Sequence, residues 1–218
     1  MRRQSLLRFT VLCLTSAALP LSVHADPKTA NPGTDDSGAV QSTWKPQEIR
    51  YSYVGFTTAY DCDAAEDRLK DILLKLGAHP QTQVRATGCN MNRPSKNFFI
   101  TITTATPVAV TARENVPSSD KSEQELIKRL GIKGGIADEQ FPARWETVNL
   151  STDRKLDLKP GDCELMQGLR DRVLPSLAIK VVTDRVQCTP HHLDIQTPEL
   201  TVSALVPVPS ADKVKSVT

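Results

Sequence analysis

Stretches in which apolar and polar residues alternate recur along the chain, and two of them follow nearly the same pattern. Residues 50–58 (RYSYVGFTT) and 144–152 (RWETVNLST) align so that Val54 matches Val148 and Phe56 matches Leu150. A period of two is typical of half-buried strands, because successive side chains point to opposite faces of a sheet. We therefore predict a strand at each place, with these matched residues on the buried face.

Each predicted strand is followed by a segment with helical periodicity. Residues 60–78 and 161–178 each place their apolar positions on one helical stripe, and the matching positions are Cys62 with Cys163, Ala65 with Met166, Ile72 with Val173, Leu73 with Leu174 and Leu76 with Leu177. Asp61 and Asp162 stand where a carboxylate can cap the first turn of a helix. Glu164 adds negative charge near the positive end of the second helix.

Two more strands are predicted after each helix. Residues 82–89 and 180–188 both end in a cysteine, and residues 98–108 match 199–208 through Ile100 with Leu200 and Ile102 with Val202. The order strand, helix, strand, strand thus occurs twice with similar spacing. We predict an α+β protein formed by tandem duplication of a βαββ unit, with the helices on one face of a mainly antiparallel sheet.

The ends of the chain have a different composition from its middle. A basic start, an apolar stretch and Val23-His24-Ala25 predict a cleaved signal peptide over residues 1–25. Residues 26–47 and 210–218 are poor in apolar residues and predict a flexible leader and tail. The predicted segments are 1–25 signal peptide, 26–47 leader, 48–110 first βαββ unit, 111–143 linker with one helix from Ser122 to Leu130, 144–209 second unit and 210–218 tail.

The net charge of the chain changes once the predicted signal peptide is removed. The chain has 27 Lys and Arg against 25 Asp and Glu, and three of the 27 are Arg2, Arg3 and Arg8. The mature chain therefore has 24 basic and 25 acidic residues, a formal net charge of −1. This balance gives no electrostatic reason to expect nucleic acid as a partner, and we expect no membrane span after cleavage, since the apolar stretch is short and contains Pro20.

Four cysteines remain in the mature chain, which predicts two disulfides in an exported protein. Cys62 stands at a helix start and Cys89 at the end of the following strand, and Cys163 and Cys188 repeat this relation. A helix that runs antiparallel to its flanking strands brings these two positions to the same edge of the sheet. We therefore favour Cys62–Cys89 and Cys163–Cys188 among the three possible pairings.

Known catalytic and cofactor-binding motifs are absent from the sequence. His191 and His192 are adjacent, so on a strand they point to opposite faces and suit a hairpin loop better than a metal site. The acids around Cys62 match no calcium-binding loop. We predict no catalytic residues, no metal and no cofactor.

One pattern favours binding. If Val54 and Phe56 face the core, Tyr51 and Tyr53 lie on the opposite face of the sheet. By the same alternation, Phe99 and Trp145 also point away from the helices. Exposed aromatic side chains among threonines suit recognition of a peptide or a sugar, so Tyr51, Tyr53, Phe99 and Trp145 are the candidate binding residues.

Three stretches resemble small exported proteins of Gram-negative bacteria that have no assigned function. They are YVGFTTAYDCDAAEDRLKDILLKLGA, VRATGC and GDCELMQGLRDRVLPSL, and the resemblance covers roughly residues 50–208. It implies a periplasmic or cell-envelope setting and brings no catalytic residues with it.

Together these patterns predict a periplasmic or secreted, non-catalytic module that binds or has a structural role. Its expected partner is an envelope protein, a peptide or a glycan. Two alternatives stay open from the sequence: an envelope hydrolase whose site is assembled from distant residues, and an inhibitor of a protease or lysozyme that inserts a disulfide-stapled loop into the enzyme.

Overall fold

The structure is a computed structural model, and it describes residues 38–89, 93–110, 121–131, 140–193 and 195–209. The predicted signal peptide, most of the leader and the tail lie outside these residues. The elements in chain order are β1 (Val40–Val54), α1 (Cys62–Lys75), β2 (Gln83–Thr87), β3 (Asn97–Ala109), α2 (Lys121–Leu130), β4 (Phe141–Asn149), α3 (Cys163–Gly168), β5 (Lys180–Arg185) and β6 (Glu199–Pro207).

All six strands form one antiparallel sheet in the order β2-β3-β1-β4-β6-β5. The first half, residues 40–109, contributes three neighbouring strands, and the second half, residues 141–207, contributes the other three. The halves meet where β1 pairs with β4, and this pairing spans only residues 40–42 of β1. The α+β class and the antiparallel sheet are confirmed.

Helices α1 and α3 share one hydrophobic core with the inner face of the sheet. The apolar stripe predicted from periodicity is buried in both helical segments: Ala65, Ile72, Leu73 and Leu76 in and just after α1, and Met166, Val173, Leu174 and Leu177 in and after α3. Full burial of one such Leu or Ile stabilises the fold by about 1.5–3 kcal/mol. Burial of their apolar faces in the core therefore stabilises both helices.

The end of α1 is fixed by a glycine. Gly77 has a φ of 84°, and the amide of Ala78 donates to the carbonyl of Leu73 at 3.0 Å while that of Gly77 donates to Leu74 at 3.1 Å. This pair of bonds is the Schellman arrangement, which favours glycine at the left-handed position. A Cβ at Gly77 would also lie 2.8 Å from the carbonyl oxygen of Leu205, so this position holds the helix end close to β6.

The helical segment of the second half is irregular. A 3₁₀ turn (Pro160–Asp162) precedes α3, and a π-helical stretch (Leu169–Val173) and a second 3₁₀ turn (Leu174–Leu177) follow it. Pro175 has no amide hydrogen and cannot continue an α-helical hydrogen-bond ladder. The change of helix type just before this proline follows from that missing donor.

The predicted faces of the first strand are wrong. β1 is regularly paired with β3 so that Tyr53 lies opposite Phe98 and Tyr51 opposite Ile100. Opposite residues of an antiparallel pair share a face, and Phe98 and Ile100 are buried in the main core, as predicted. Tyr51 and Tyr53 are therefore core residues.

Val54 and Phe56, which the same alternation placed in the core, are half exposed instead. The prediction took the wrong phase because β1 changes its buried face along its length. Ser42 and Trp44 are buried near its start, whereas Ile49 and Tyr51 are buried further along. Residues 42 and 44 have the opposite parity to 49 and 51, so they point to the other face of the sheet.

The buried positions of β1 and β4 differ from those that the sequence aligned with each other. Ile49 lies opposite Ile102 in β3, and Val148 lies opposite Val202 in β6. Ile49 and Val148 are both buried, whereas Val54, which the sequence aligned with Val148, is half exposed. β1 also begins at Val40, within the predicted leader, and β4 begins within the predicted linker.

Helix α2, from the predicted linker, packs on the face opposite α1. Its Leu130 joins Trp44 and Ala105 in a small second core, with Ile127 and Phe141 packed beside it. Arg129 forms an ion pair with Glu48 at 2.9 Å. This helix covers the outer face of β1 and β3 near the junction of the halves and leaves the far end of that face open.

Both disulfides join a helix start to the segment after the next strand. Cys62 is bonded to Cys89 with their Cα atoms 6.2 Å apart, and Cys163 to Cys188 with 5.7 Å between Cα atoms. These are the two pairings that the sequence favours. In each half the bridge ties the first helical turn to the end of β2 or β5.

Candidate functional site

The structure does not bring the four predicted binding aromatics together. Tyr51 and Tyr53 are only 9% and 2% exposed, whereas Phe99 and Trp145 are 63% and 50% exposed. Phe99 is in β3 opposite Ser52, and Trp145 is in β4 opposite Leu205. Because β1 separates these strands, a continuous aromatic face does not form, and only Phe99 belongs to the surface described next.

A surface of exposed apolar side chains lies at the end of the sheet where β1 leads into α1. We call it the apolar end. Its members and their exposed fractions are Val54 (50%), Phe56 (50%), Phe99 (63%), Leu193 (66%) and Ile195 (96%). Val54 is the diagonal cross-strand neighbour of Phe99 on the outer face, because Phe99 lies opposite Ser52. Single exposed apolar residues are ordinary, but a group of large ones marks an interaction surface.

The loop between β5 and β6 contributes two of the five side chains of this surface. It begins at Cys188, which the disulfide holds against the start of α3. The ring of His191 meets the ring of Phe56 edge-on, with 5.9 Å between centroids, and the hydroxyl of Thr57 donates to the carbonyl of His192 at 3.4 Å. These contacts bring the loop beside the segment that follows β1, although the two are over a hundred residues apart in sequence.

Glu164 holds the backbone of the segment after β1. Its carboxylate accepts hydrogen bonds from the amides of Phe56, Thr57 and Thr58, each at 2.9 Å at its shortest. Hydrogen bonds to an ionised carboxylate are roughly twice as strong as neutral ones. The side chain of Phe56 is therefore exposed on a backbone that is already ordered.

Gly55 is the second reason why this segment is fixed. A Cβ there would lie 2.2 Å from the carbonyl oxygen of Thr58, so no larger residue fits without a change of backbone. The amide of Gly55 donates to the carbonyl of Lys96 at 2.6 Å, and the hydroxyl of Tyr53 donates to the carbonyl of Thr58 at 2.9 Å. The segment closes tightly over the end of the core.

A buried polar pair lies beneath the apolar end. The hydroxyl of Tyr60 is hydrogen-bonded to the carboxylate of Asp162, which also accepts a bond from the amide of Lys159 at 2.7 Å. Burial raises the pKa of the Tyr60 phenol, and the bond to Asp162 raises it further. Burial likewise raises the pKa of Tyr53, with a smaller contribution from the charge of Glu164. Both phenols stay neutral at physiological pH and serve as hydrogen-bond donors.

The expected role of Asp61 and Asp162 as side-chain caps is wrong. Neither carboxylate bonds to the amides of the helix that it precedes. Asp162 is buried and bonds to Tyr60 and Lys159, while Glu164 bonds to the segment after β1. Asp162 and Glu164 thus connect the start of α3 to neighbouring segments.

His192 lines two cavities of very different size. With Glu164 and Thr57 it borders a cavity of about 10 Å³, which barely admits one water molecule, and with Leu193 and Ile195 it borders a wide cavity of about 820 Å³. In the described part of the chain, three or more His, Cys, Asp or Glu side chains nowhere gather in a way that could hold a metal ion.

Sequence reasoning missed Val54, Phe56, Leu193 and Ile195 as exposed residues. The loop gave a usable signal, since CTPHHLDIQTP places Leu193 and Ile195 between residues typical of turns, with no alternating pattern to bury them. Glu164 gave none, because its partners are distant in sequence.

Comparison of the chain with protein-family models, with characterised protein sequences and with solved structures gives no significant match. None of the described helices is long and apolar enough to cross a membrane.

Proposed function

We propose that the protein is a non-catalytic exported module that binds a partner protein through the apolar end. The proposal rests on the exposure of Val54, Phe56, Phe99, Leu193 and Ile195. The contact of the Phe56 ring with His191 supports it, because it brings the loop that carries Leu193 and Ile195 beside the end of β1. Glu164 fixes the backbone at Phe56, and the disulfide at Cys188 anchors the loop that carries Leu193 and Ile195. An ordered surface loses little conformational entropy on binding, which favours affinity.

The chemistry of this surface favours a protein over a glycan. Three of the five side chains, Val54, Leu193 and Ile195, are aliphatic and have no hydrogen-bonding group or ring face for a sugar. Ile195 is 96% exposed, so only a recess in a partner could cover it. Burial of one such side chain contributes about 1.5–3 kcal/mol.

A second candidate function is inhibition of a protease or lysozyme. The loop after Cys188 favours it, because it is anchored at the disulfide and carries Leu193 and Ile195 outward. In this case the partner's recess is an enzyme cleft. The hydrolase alternative has less support, since the carboxylate of Glu164 beside His192 is already bound by three backbone amides.

The proposed setting is the periplasm or the outside of the cell. Two disulfides are typical of proteins in oxidising compartments, and residues 1–25 have the pattern of a signal peptide.

We also propose that the halves derive from one duplicated βαββ unit. Supporting this are the equal order of elements, the matching disulfides and the equivalent core positions Ile49 and Val148. Superposing residues 40–109 on 141–207 in an experimental structure tests it. Helices that cross their strands at unrelated angles would contradict it.

The binding proposal is tested with two variants of the mature protein. Phe56→Ser combined with Ile195→Ser removes two members of the apolar end, and Trp145→Ser removes an exposed aromatic residue elsewhere. Because Phe56 and Trp145 are half buried, each of these two changes should cost about 1–1.5 kcal/mol, and Ile195→Ser only about 0.5 kcal/mol. Circular dichroism during urea unfolding checks that all variants stay folded. From an envelope extract, wild type and Trp145→Ser should capture the same protein, and the double variant should not.

Capture that survives the double variant but not Trp145→Ser would refute the proposed surface. Assays of lysozyme and protease activity with the same three proteins separate the inhibitor from other binding proteins. An inhibitor should lose potency in the double variant alone.

A further inference from the structure

A row of charged and hydroxyl side chains lies beside Phe99 on the outer face of the first half. Thr101 is two residues along β3 from Phe99, and it lies opposite Arg50 in β1 and opposite Arg85 in β2. Directly opposite residues share a face and have Cβ atoms about 5 Å apart. The two arginines therefore flank Thr101, next to the exposed ring of Phe99.

The two arginines differ in their ion pairs. Arg85 is exposed and forms no ion pair with a carboxylate of the described residues. The side chain of Arg50 is 72% exposed and contacts Glu48 at 2.5 Å. Glu48 also pairs with Arg129 at 2.9 Å, and Arg129 has a second carboxylate partner in Glu125 at 3.6 Å, so the excess of positive charge comes from Arg85. The row keeps an excess of positive charge.

Other charges at this end do not reverse that sign on the outer face. The Nζ atom of Lys96 donates to the carbonyl of Phe56 at 2.9 Å and adds a positive charge beside the apolar end. Asp61 and Asp63 belong to the start of α1, which packs on the inner face. The carboxylate of Glu66 accepts a hydrogen bond from the amide of Ala86 at 2.7 Å. Glu66 and Asp67 line a cavity together with Lys70 and Arg85, and neither acid forms an ion pair with Arg85.

We infer that the partner presents an acidic segment to this surface, with its carboxylates on Arg50 and Arg85 and an apolar side chain on Phe99 and Val54. The inference rests on the proposed function and names the chemistry of its partner. Guanidinium groups match carboxylates because their planar donors form two parallel bonds. Complementary charge beside an apolar centre sets the orientation of the partner and the rate of encounter.

A random dodecapeptide library displayed on phage provides the probe. The library is selected on the immobilised mature protein, and the enriched peptides are synthesised for affinity measurement. We expect enrichment of Asp or Glu close to a large apolar residue. Arg85→Glu should weaken these peptides roughly tenfold or more, because a hydrogen bond to a charged group contributes about 1.5–3 kcal/mol.

The matched control is Arg172→Glu, which reverses an exposed charge in the helical segment after α3 and should leave affinity unchanged. Raised salt should weaken wild-type binding and leave Arg85→Glu binding nearly constant. Enriched peptides that are neutral, or whose affinity is equal in wild type and Arg85→Glu, would overturn the inference.

Two further results separate this inference from the function on which it rests. Neutral peptides that bind wild type but not the Phe56→Ser/Ile195→Ser variant would refute the acidic partner and leave the apolar end as the binding site. Vesicles of anionic phospholipid and an anionic oligosaccharide are measured in parallel. Arg85-dependent binding of either one, without any enriched acidic peptide, would also refute a protein source for the carboxylate.

Discussion

The two halves of the sheet contain the same order of elements, but their main helices are built differently. In the first half, α1 is a single regular helix of 14 residues that ends at Gly77. In the second half, the helical segment passes through 3₁₀, α, π and again 3₁₀ geometry before Ala178. Pro175 accounts for the late irregularity. Equal topology therefore tolerates unequal local structure as long as the buried stripe is kept.

The starts of these helices differ in what they bind. Asp63, the residue after Cys62, is exposed and lies only in the field of the helix dipole. Glu164, the residue after Cys163, reaches the first half and accepts three amide bonds from it. The first turn of the second helix thus fixes the backbone of the other half, whereas Asp63 has no such bond.

The outer edges of the sheet are protected by different means. The amide of Ala86 in β2 donates to the carboxylate of Glu66 from α1, at 2.7 Å. In β5 the pairing with β6 is irregular between Val181 and Thr183, as in a β-bulge. Both devices discourage pairing with the edge of another sheet, and they are consistent with recognition through the apolar end.

The largest expected difference between the halves is their response to high pH. All three tyrosines of the chain, Tyr51, Tyr53 and Tyr60, are in the first half, and burial raises the pKa of each. A raised folded-state pKa contributes stability that is complete below the unfolded value of about 10 and is lost above it. Three retained protons correspond to a loss of about 4 kcal/mol per pH unit.

The measurement is tyrosinate absorbance and circular dichroism between about pH 8 and 12. We expect all three phenols to ionise together, at the pH where the fold is lost. Ionisation of any of them near pH 10 in a protein that is still folded would contradict their burial.

The disulfides offer the next test, because the two halves should lose similar stability when either is removed. Replacing Cys62 and Cys89 by Ser, or Cys163 and Cys188 by Ser, opens loops that span 27 and 25 residues. The chain-entropy relation gives about 3.5 kcal/mol for each. Urea unfolding measures both. A difference of more than about 2 kcal/mol would show that the bridges do not have equivalent roles.

Glu164 and Asp63 are matched positions for a third test. Glu164→Ala leaves three amides without their acceptor and should cost about 2–3 kcal/mol. Asp63→Ala removes only a favourable interaction with the helix dipole, less than about 1 kcal/mol. Urea unfolding measures the stability that each variant loses. Equal losses would contradict the larger structural role of Glu164. Hydrogen exchange at Phe56, Thr57 and Thr58 should accelerate in Glu164→Ala alone.

Features that depend on one element and its immediate neighbours could be predicted from the sequence. The buried stripes of α1 and α3 follow from helical periodicity. The pairing of Cys62 with Cys89 follows from a short crossover, because few arrangements connect a strand, a helix and a strand. Once Cys62 is paired with Cys89, only Cys163 and Cys188 remain as partners among the four cysteines of the mature chain.

The face of β1 could not be predicted, because a period of two fixes the alternation but not which set is buried. The choice between Tyr53 and Phe56 depends on Phe98 across the sheet and on where the strand ends. α2 adds a second core around Trp44, so the buried set changes within β1. The apolar end combines segments over a hundred residues apart, and no local pattern contains it.

The smallest expected effect concerns Tyr51, whose hydroxyl is buried and has no hydrogen-bond partner in the structure. Its ring packs against Gly168, where a Cβ would lie 3.2 Å from the ring. Tyr51→Phe keeps the ring and removes the unpaired hydroxyl, so stability should stay within about 0.5 kcal/mol or rise slightly.

Tyr60→Phe is the matched change. It removes a bond to the buried carboxylate of Asp162 and should cost about 1.5–3 kcal/mol. Thermal and urea unfolding of the two variants compare them directly. A loss of 1 kcal/mol or more for Tyr51→Phe would mean that the hydroxyl has a partner, such as a buried water beside the π-helical stretch.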